Sequence, residues 1–320
     1  MIKLGYKLMS EEHGPTDLVR NANRAEQAGF DFTAISDHFF PWVEEQGHSP
    51  LAWSVLGAVA NATRHIGLMT AVTCPIMRYH PAIIAQGAAT LGLLSDNRFT
   101  LGLGAGERLN EHVVGEGWPG RGERHERLSE AVDIIQGLLA GTLTNYRGNY
   151  FRLDDARLFD RPDIKPAVAI AAGGSKAARF AGRKGDALIV TEPRAELTEA
   201  FVSAGGAALC RGGDVLRPAS GGCPKNGPSI FSLVGHWLAS NGGTARYRQF
   251  RCGEPAVSPE TVAQVVSCGP SPERHLEAIN RYVQAGYDHI ILVQVGPHQG
   301  EFLDFFERKL ASALRDRKVP

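Results

Sequence analysis

The groups able to do chemistry in this chain lie in short polar clusters that interrupt apolar runs. The densest is Ile35-Ser36-Asp37-His38-Phe39-Phe40-Pro41-Trp42, where an apolar run from Phe32 gives way to an acid, an imidazole and aromatic rings. A neutral imidazole takes or gives a proton near neutral pH, so proton transfer is the chemistry on offer. A strand end carrying a satisfied histidine fits the same residues, because a lone Asp-His pair is not diagnostic. Comparable clusters recur. Lys7 leads to Glu11 and Glu12, Thr73-Cys74-Pro75 follows another apolar run, and Gly102-Leu103-Gly104-Ala105-Gly106-Glu107 precedes Asn110. Ala172-Gly173-Gly174-Ser175, Thr191-Glu192 and Gln294-Val295-Gly296 complete the set. The alternating glycines either let a flat ligand approach the backbone or serve tight packing. They are no dinucleotide fingerprint, since Glu107 stands where a final glycine belongs. Gly173-Gly174-Ser175 offers backbone N–H groups to an anion such as phosphate, or is an ordinary helix cap at Ser175. No metal-ligand spacing is present: His38 and His48 lack a helical partner, and His112 and His125 read as solvated helix residues.

The elements that position these clusters alternate. Strands are expected at 2–8, 32–37, 65–74, 99–103, 167–172, 187–191 and 289–295. Helices are expected from Gly14-Pro15 to a stop at Gly29, at 50–62, 81–94 and 124–140, from Ser175, and at 271–285 and 299–315. Residues 143–160 read as an inserted hairpin around Gly148. An internal echo links the two ends: Asn23-Arg24 with Gln27-Ala28-Gly29-Phe30-Asp31, and Asn280-Arg281 with Gln284-Ala285-Gly286-Tyr287-Asp288. Each copy is a helix, a glycine, an aromatic, an aspartate and a strand, which suggests a repeated unit. Alternating strands and helices predict a parallel sheet, and this length fits an α/β fold of the (β/α)8 TIM barrel type with insertions. The chemistry then belongs at the strand C-terminal ends, where every cluster above lies. The stretch 203–257 stands apart. It is rich in Gly and Pro, its one strand-like run is 230–238, and it reads as a mobile lid or a divergent insertion within a single domain over 1–320.

Composition narrows the function. With 34 basic and 34 acidic residues the formal net charge is zero, which argues against a nucleic-acid or anionic-membrane partner. Five cysteines without C-x-x-C spacing suggest neither a disulfide framework nor a zinc site. No signal segment or membrane-spanning run is read, so a cytoplasmic protein acting on a small molecule is the expectation.

The segments Ser36-Asp37-His38-Phe39-x-Pro41-Trp42, Gly104-x-Gly106-Glu107-x-Leu109-Asn110-Glu111 and Ala171-Ala172-Gly173-Gly174 resemble the coenzyme F420 (deazaflavin) branch of the luciferase-like superfamily. Leu4-Gly5-Tyr6-Lys7 and Arg78-Tyr79-x-Pro81-Ala82-x-Ile84-Ala85-Gln86 match it too, and the likeness covers 1–200 and 258–315. The resemblance implies a homodimeric TIM-barrel dehydrogenase that moves a hydride between an alcohol or sugar-like substrate and F420. It implies that His38 and Trp42 face the reacting carbon and oxygen, that Glu11 is a further acid near the substrate, and that Glu107 lies beside N1 of the deazaflavin. Asp37, Ala71, Val72, Cys74, the Ala105-Gly106 backbone, Asn110, Gly173, Gly174 and Lys176 would hold the cofactor, with a non-prolyl cis peptide at Ala71-Val72. Thr191 and Arg194 would meet the substrate. Either His38 or Glu11 would take its hydroxyl proton.

The chain departs from that pattern in two places. Cys74 replaces a cofactor-side Thr. Of three basic residues that bind phosphate in the sugar-phosphate enzymes of this branch, Arg194 lies near the first, the second falls in 203–257, and Val265 stands at the third. A hydrophobe cannot neutralise a phosphate, so weak use of glucose 6-phosphate is expected. The alternatives are an FMN-dependent monooxygenase of the same superfamily and a flavin-binding homologue that turns nothing over.

Overall fold

The computed structural model describes residues 2–142, 145–206 and 270–315 and the backbone of 230–236. Eight parallel strands hydrogen-bond in chain order: β1 (Lys3–Leu8), β2 (Phe32–Ile35), β3 (Gly67–Thr70), β4 (Phe99–Leu103), β5 (Ala167–Ala171), β6 (Ala187–Val190), β7 (Ile230–His236) and β8 (His289–Gln294). β8 pairs back onto β1, with Leu4 opposite Ile290, so the sheet closes. The strands are apolar on both faces, as a parallel sheet covered on both sides requires.

Helices α1 (Pro15–Ala28), α2 (Ala52–Ala62), α3 (Pro81–Leu94), α4 (Arg121–Ala140), α5 (Ser175–Lys184), α6 (Ala195–Ser203), α7 (Pro272–Gln284) and α8 (Gln299–Phe305) link the strands. The inside of the sheet is a small cluster of Phe32, Ala34, Met69, Ala71, Ala169, Ala187, Ile189 and Ile291. The larger core lies between strands and helices, where Tyr6, Phe30, Phe302 and Phe306 pack ring on ring.

The echo between the two ends is structural. Gly29 (φ 89°) and Gly286 (φ 91°) both end a helix in the left-handed region, where a side chain would be strained. Phe30 N donates to Ala25 O and Tyr287 N to Tyr282 O in the same geometry. The two copies then feed β2 and β8, the two neighbours of β1. Asp31 accepts from the Lys3 ammonium and from Leu4 N, while Lys3 N donates to Asp288 O, so both copies grip the start of β1.

Several boundaries differ from expectation. β2 ends at Ile35, two residues early, and β3 ends at Thr70 rather than at Cys74. Beyond it the Ala71–Val72 peptide is cis, and Thr73 resumes pairing with Leu103. The last helix is interrupted by a π turn at Phe306–Leu310 before Ala311–Arg315. The hairpin within 143–160 is short, Tyr146–Arg147 against Arg152–Leu153. Its tip is held by Glu130 of α4, which accepts from the backbone N–H of Asn149, Tyr150 and Phe151. β7 falls within 203–257, so that stretch contributes a strand to the sheet. The rest of the expected lid, the basic residues Arg211, Arg217, Lys225, Arg246, Arg248 and Arg251, and Val265 lie outside the described residues.

Candidate active site

Every expected site residue among those described follows the C-terminal end of a strand or the turn beyond it. Two layers are distinguishable. The lower one is a buried scaffold around Asp37, which is 2% exposed. Its Oδ2 accepts from Thr73 Oγ1 (2.8 Å) and Trp53 Nε1 (3.2 Å), and its Oδ1 from Tyr79 OH (3.0 Å). Arg78 lies 3.5 Å from Oδ1 and donates through Nη2 to the Asp37 carbonyl at 2.5 Å. The same guanidinium donates through Nε to Glu111 Oε1 at 2.9 Å. Burial raises the Glu111 carboxyl even though Arg78 opposes the shift. The ends of β2, β3 and β4 are thereby locked together. Asn110 adds a second lock, its Oδ1 accepting from Phe39 N (2.9 Å) and Phe40 N (3.2 Å), which fixes the loop that carries His38.

The glycines of β4 settle one of the open alternatives. A Cβ at Gly102 would stand 1.9 Å from the Thr70 carbonyl oxygen, and one at Gly104 would stand 2.6 Å from Val72 Cγ2. Packing against β3 and the turn beyond it therefore demands glycine at both. Gly106 has φ 73°, and a Cβ there would meet Cys74 Sγ at 2.3 Å. The Cys74 thiol is buried and pushed up first by that burial and then by Glu111, which keeps it protonated.

The upper layer carries the titratable groups. His38 Nδ1 is 2.7 Å from Glu11 Oε1, with side chains 14% and 2% exposed. The ring N–H is not aligned with this contact, so it is an ion-pair distance without a linear hydrogen bond. Trp42 meets the His38 ring edge-on at 5.2 Å. Burial opposes ionisation of Glu11, but His38 and Lys7 together outweigh it and hold the carboxyl at about 2. Glu107 is exposed at its surface, yet partial burial of its carboxyl raises it. Glu11 adds to that rise and His38 opposes it, which puts all three within electrostatic reach of one another.

Along the rim, β5 and β6 end in an anion-friendly surface. A Cβ on Gly173 or Gly174 would meet nothing within 4 Å, so this backbone is bare. The N-cap of α5 is Gly174, not Ser175 as the alternative reading had it, and no side chain caps it. Lys176 is exposed on the first turn; with burial, Arg124 and Arg121 it holds His125 below its ordinary range. Arg194 is not free: its Nε donates to Glu196 Oε1 (2.7 Å) and its Nη1 to the Gly173 carbonyl (3.3 Å). Thr191 is exposed, and its carbonyl accepts from Tyr282 OH.

A family model described as luciferase-like monooxygenase matches residues 2–215. The chain belongs to this luciferase-like family. An F420-dependent glucose-6-phosphate dehydrogenase of Segniliparus rotundus is 37% identical over 333 residues, covering 98% of each chain. One of Mycobacterium tuberculosis is 36% identical over 331 residues, again with 98% of each covered. Among solved structures, an F420-dependent secondary alcohol dehydrogenase in complex with an F420-acetone adduct matches with TM-score 0.80 and 26% identity, over 97% of this chain and 98% of that one.

In this luciferase-like chain some contributors were assigned no role from sequence. Lys7 Nζ donates to Ser36 Oγ at 2.5 Å inside the barrel. Thr73, Trp53, Tyr79, Arg78 and Glu111 form the Asp37 scaffold. For Lys7 a signal existed, a charge at an inward position of an apolar strand. For the scaffold none did, since its partners lie 16 to 42 residues apart in pairs that only the fold defines. Among the described residues no cluster of His, Cys, Asp or Glu could hold a metal, and no helix is long and apolar enough to cross a membrane.

Proposed function

We propose that this protein is a coenzyme F420-dependent dehydrogenase that oxidises the carbinol carbon of an alcohol or sugar-like substrate. The observation that carries the reading is the His38–Glu11 pair at 2.7 Å, within electrostatic reach of the raised carboxyl of Glu107. The names of the relatives above support the cofactor. So does the fit of the residues: bare backbone at Gly173 and Gly174, an uncapped helix N-terminus and Lys176 together suit the phosphate of such a cofactor. The Ala71–Val72 turn, Ala105 and Gly106 would line its ring.

When bound, the deazaflavin supplies a two-electron acceptor at C5 and gains negative charge at N1. With Nδ1 turned to Glu11, His38 keeps Nε2 for the substrate hydroxyl. The O–H proton passes to Nε2, the C–H bond breaks with its electron pair leaving as hydride, and the C=O bond forms. Glu107 would hold a proton or a hydrogen bond for the nitrogen that gains charge, which is electrostatic stabilisation of the product side. Trp42 would pack on the substrate beside His38, with Thr191 at the far rim.

The finer readings go with this one. The closed sheet, each strand followed in the chain by a helix before the next, supports one (β/α)8 TIM-barrel domain with insertions. A homodimer would form through α2 and α3, among the described residues the long helices without a charged residue, where Ile83 and Leu94 of α3 stand 58% and 59% exposed. Titration with F420 and with FMN, followed by absorbance, tests the function. Tighter F420 binding with reduction by an alcohol or sugar is expected. Comparable or tighter FMN binding points instead to a monooxygenase, and F420 binding without any hydride transfer points to a homologue that binds and does not turn over.

A further inference from the structure

Helices α4 and α5 follow neighbouring strands, β4 and β5, and lie side by side. They are tied together away from the site: Lys184 pairs with Asp133, and Gln136 Nε2 donates to the Lys184 carbonyl at 2.5 Å. Eight residues back from Lys184 is Lys176, and eight back from Asp133 is His125. Positions eight apart share a stripe of a helix, about 12 Å apart along its axis. Lys176 and His125 therefore stand level at the site end, across the seam between the two helices. The electrostatics agree, since burial and then the charges of Arg124, Arg121 and Lys176 hold His125 below its ordinary range. No carboxylate compensates this group. Among the described residues neither Arg121 nor Lys176 has an ion-pair partner. Arg124 is fixed by contacts that leave its charge free: Nη1 donates to the Pro119 carbonyl at 2.7 Å, and the guanidinium lies 4.4 Å from the Trp118 ring centroid. By contrast Arg20, Arg24, Arg78 and Arg127 each face a carboxylate. The acids of the same turns are engaged, Glu123 by Arg127 and Glu126 by the Tyr150 hydroxyl. Like charges left together repel one another in the free protein and favour an anion. The other flank of α5 differs. There Arg194 is tied to Glu196, and Glu192 adds negative charge beside it. An acidic chain leaving a phosphate at Gly173, Gly174 and Lys176 is therefore repelled toward α6 and attracted toward α4.

Coenzyme F420 carries such a chain: beyond its phosphate come a lactyl unit and a run of γ-linked glutamates, each adding a carboxylate. We propose that the first turns of α4, through Arg121, Arg124 and His125, bind the oligoglutamate end of the cofactor and continue the phosphate site across the seam from Lys176. This rests on the dehydrogenase reading above. Arg124, stacked and hydrogen-bonded, presents a charge already held in place, so little side-chain freedom is lost when a carboxylate arrives. Arg121 is exposed at the start of the helix and adds a second, mobile charge. His125 is largely neutral near pH 7 and offers a ring N–H, which suits a carboxylate as a hydrogen-bond donor.

The test is a binding titration of the full-length chain, followed by deazaflavin fluorescence, and it needs no turnover. Two forms of the cofactor are compared, one ending at the lactyl unit without glutamate and one carrying a long glutamate chain. At about 20 mM salt the long form should bind about tenfold more tightly, because several exposed charge contacts of modest strength add up to that ratio. Salt at about 0.3 M should remove most of the difference. Arg121→Glu should bring the two forms within about twofold of each other, Arg121→Lys should keep most of the ratio, and His125→Ala should narrow it to about fivefold or less. His125→Ala and the salt series decide the matter should Arg121→Glu fail to fold. Equal affinity of the unsubstituted protein for the two forms, a gain indifferent to salt, or a gain that survives the Arg121→Glu and His125→Ala substitutions overturns the proposal and leaves the dehydrogenase reading standing. Failure of the unsubstituted protein to bind either form overturns that reading instead.

Discussion

Replacing Asp37 by Asn is the sharpest test of the scaffold under the site. The carboxylate is buried, and every group around it donates: Thr73 and Trp53 to Oδ2, Tyr79 to Oδ1, and the Arg78 guanidinium 3.5 Å from Oδ1. An amide has one acceptor oxygen and a donor-only NH2. Placed with its oxygen toward Thr73 and Trp53, it keeps two bonds, now neutral ones. Its NH2 then faces Tyr79, whose hydroxyl can turn to accept, and Arg78, which cannot. Reversed, the NH2 meets the Trp53 indole N–H, which has no acceptor to offer, so the first orientation is the better one. Removing one partner of a buried ion pair costs roughly 3–5 kcal/mol. Here Arg78 retains Glu111 and the Asp37 carbonyl, which limits the damage. A loss of about 3 kcal/mol follows, about half of a marginal domain's stability. Urea denaturation without cofactor, analysed at constant m, measures it. A loss under about 1 kcal/mol would refute the scaffold role, and unaltered stability with weakened cofactor binding would return Asp37 to direct contact with the cofactor.

Other outcomes follow from the same contacts. Glu107→Gln should leave F420 affinity within about twofold and slow hydride transfer at least about tenfold, because the amide keeps the shape and removes the titrating proton; single-turnover absorbance measures both. Glucose 6-phosphate should not give the highest kcat/KM in a panel with neutral alcohols: Arg194 is already tied to Glu196 and Gly173, and each missing phosphate contact weakens binding by about tenfold to a hundredfold. The Glu11 carboxyl falls from 4.5 to about 2 on folding, which contributes about 3 kcal/mol above pH 4.5 and is lost as pH falls toward 2. Glu11→Gln should remove that part of the acid sensitivity in urea titrations at stepped pH; an identical pH slope in both proteins refutes it. Ile83→Glu should shift a dimer to monomer in analytical ultracentrifugation, and a retained dimer would exclude the α3 face.

What the sequence makes legible here is what repeats locally. The helix-Gly-aromatic-Asp-strand unit was readable at both ends because Gly29 and Gly286 mark a backbone conformation that other residues resist. Strand positions were readable because an apolar run has few alternatives in a covered parallel sheet, but the ends of β2 and β3 were not, since both strands stop short of the polar clusters that follow them. Helix α6 was missed although Leu197, Ala200 and Phe201 sit at helical spacing, because nine residues carry only about two and a half turns of signal. The alternating glycines of β4 were ambiguous for a different reason. Their necessity lies in the Thr70 carbonyl and the Val72 side chain, atoms of a neighbouring strand and turn that no local pattern names.

The Asp37 cluster shows the same limit in the site itself. In the chain Arg78 and Glu111 look like any solvated charges, and Asp37 looks like a candidate for chemistry because it precedes His38. Only closure of the sheet brings them together, and it reverses the expectation for their neighbour. The carboxylate adjacent to His38 in sequence turns down into the scaffold, while the one adjacent in space, Glu11, comes from the preceding strand's turn. His38 finds its carboxylate on another strand's turn, where His38 and then Lys7 hold the Glu11 carboxyl at about 2 against the cost of burial.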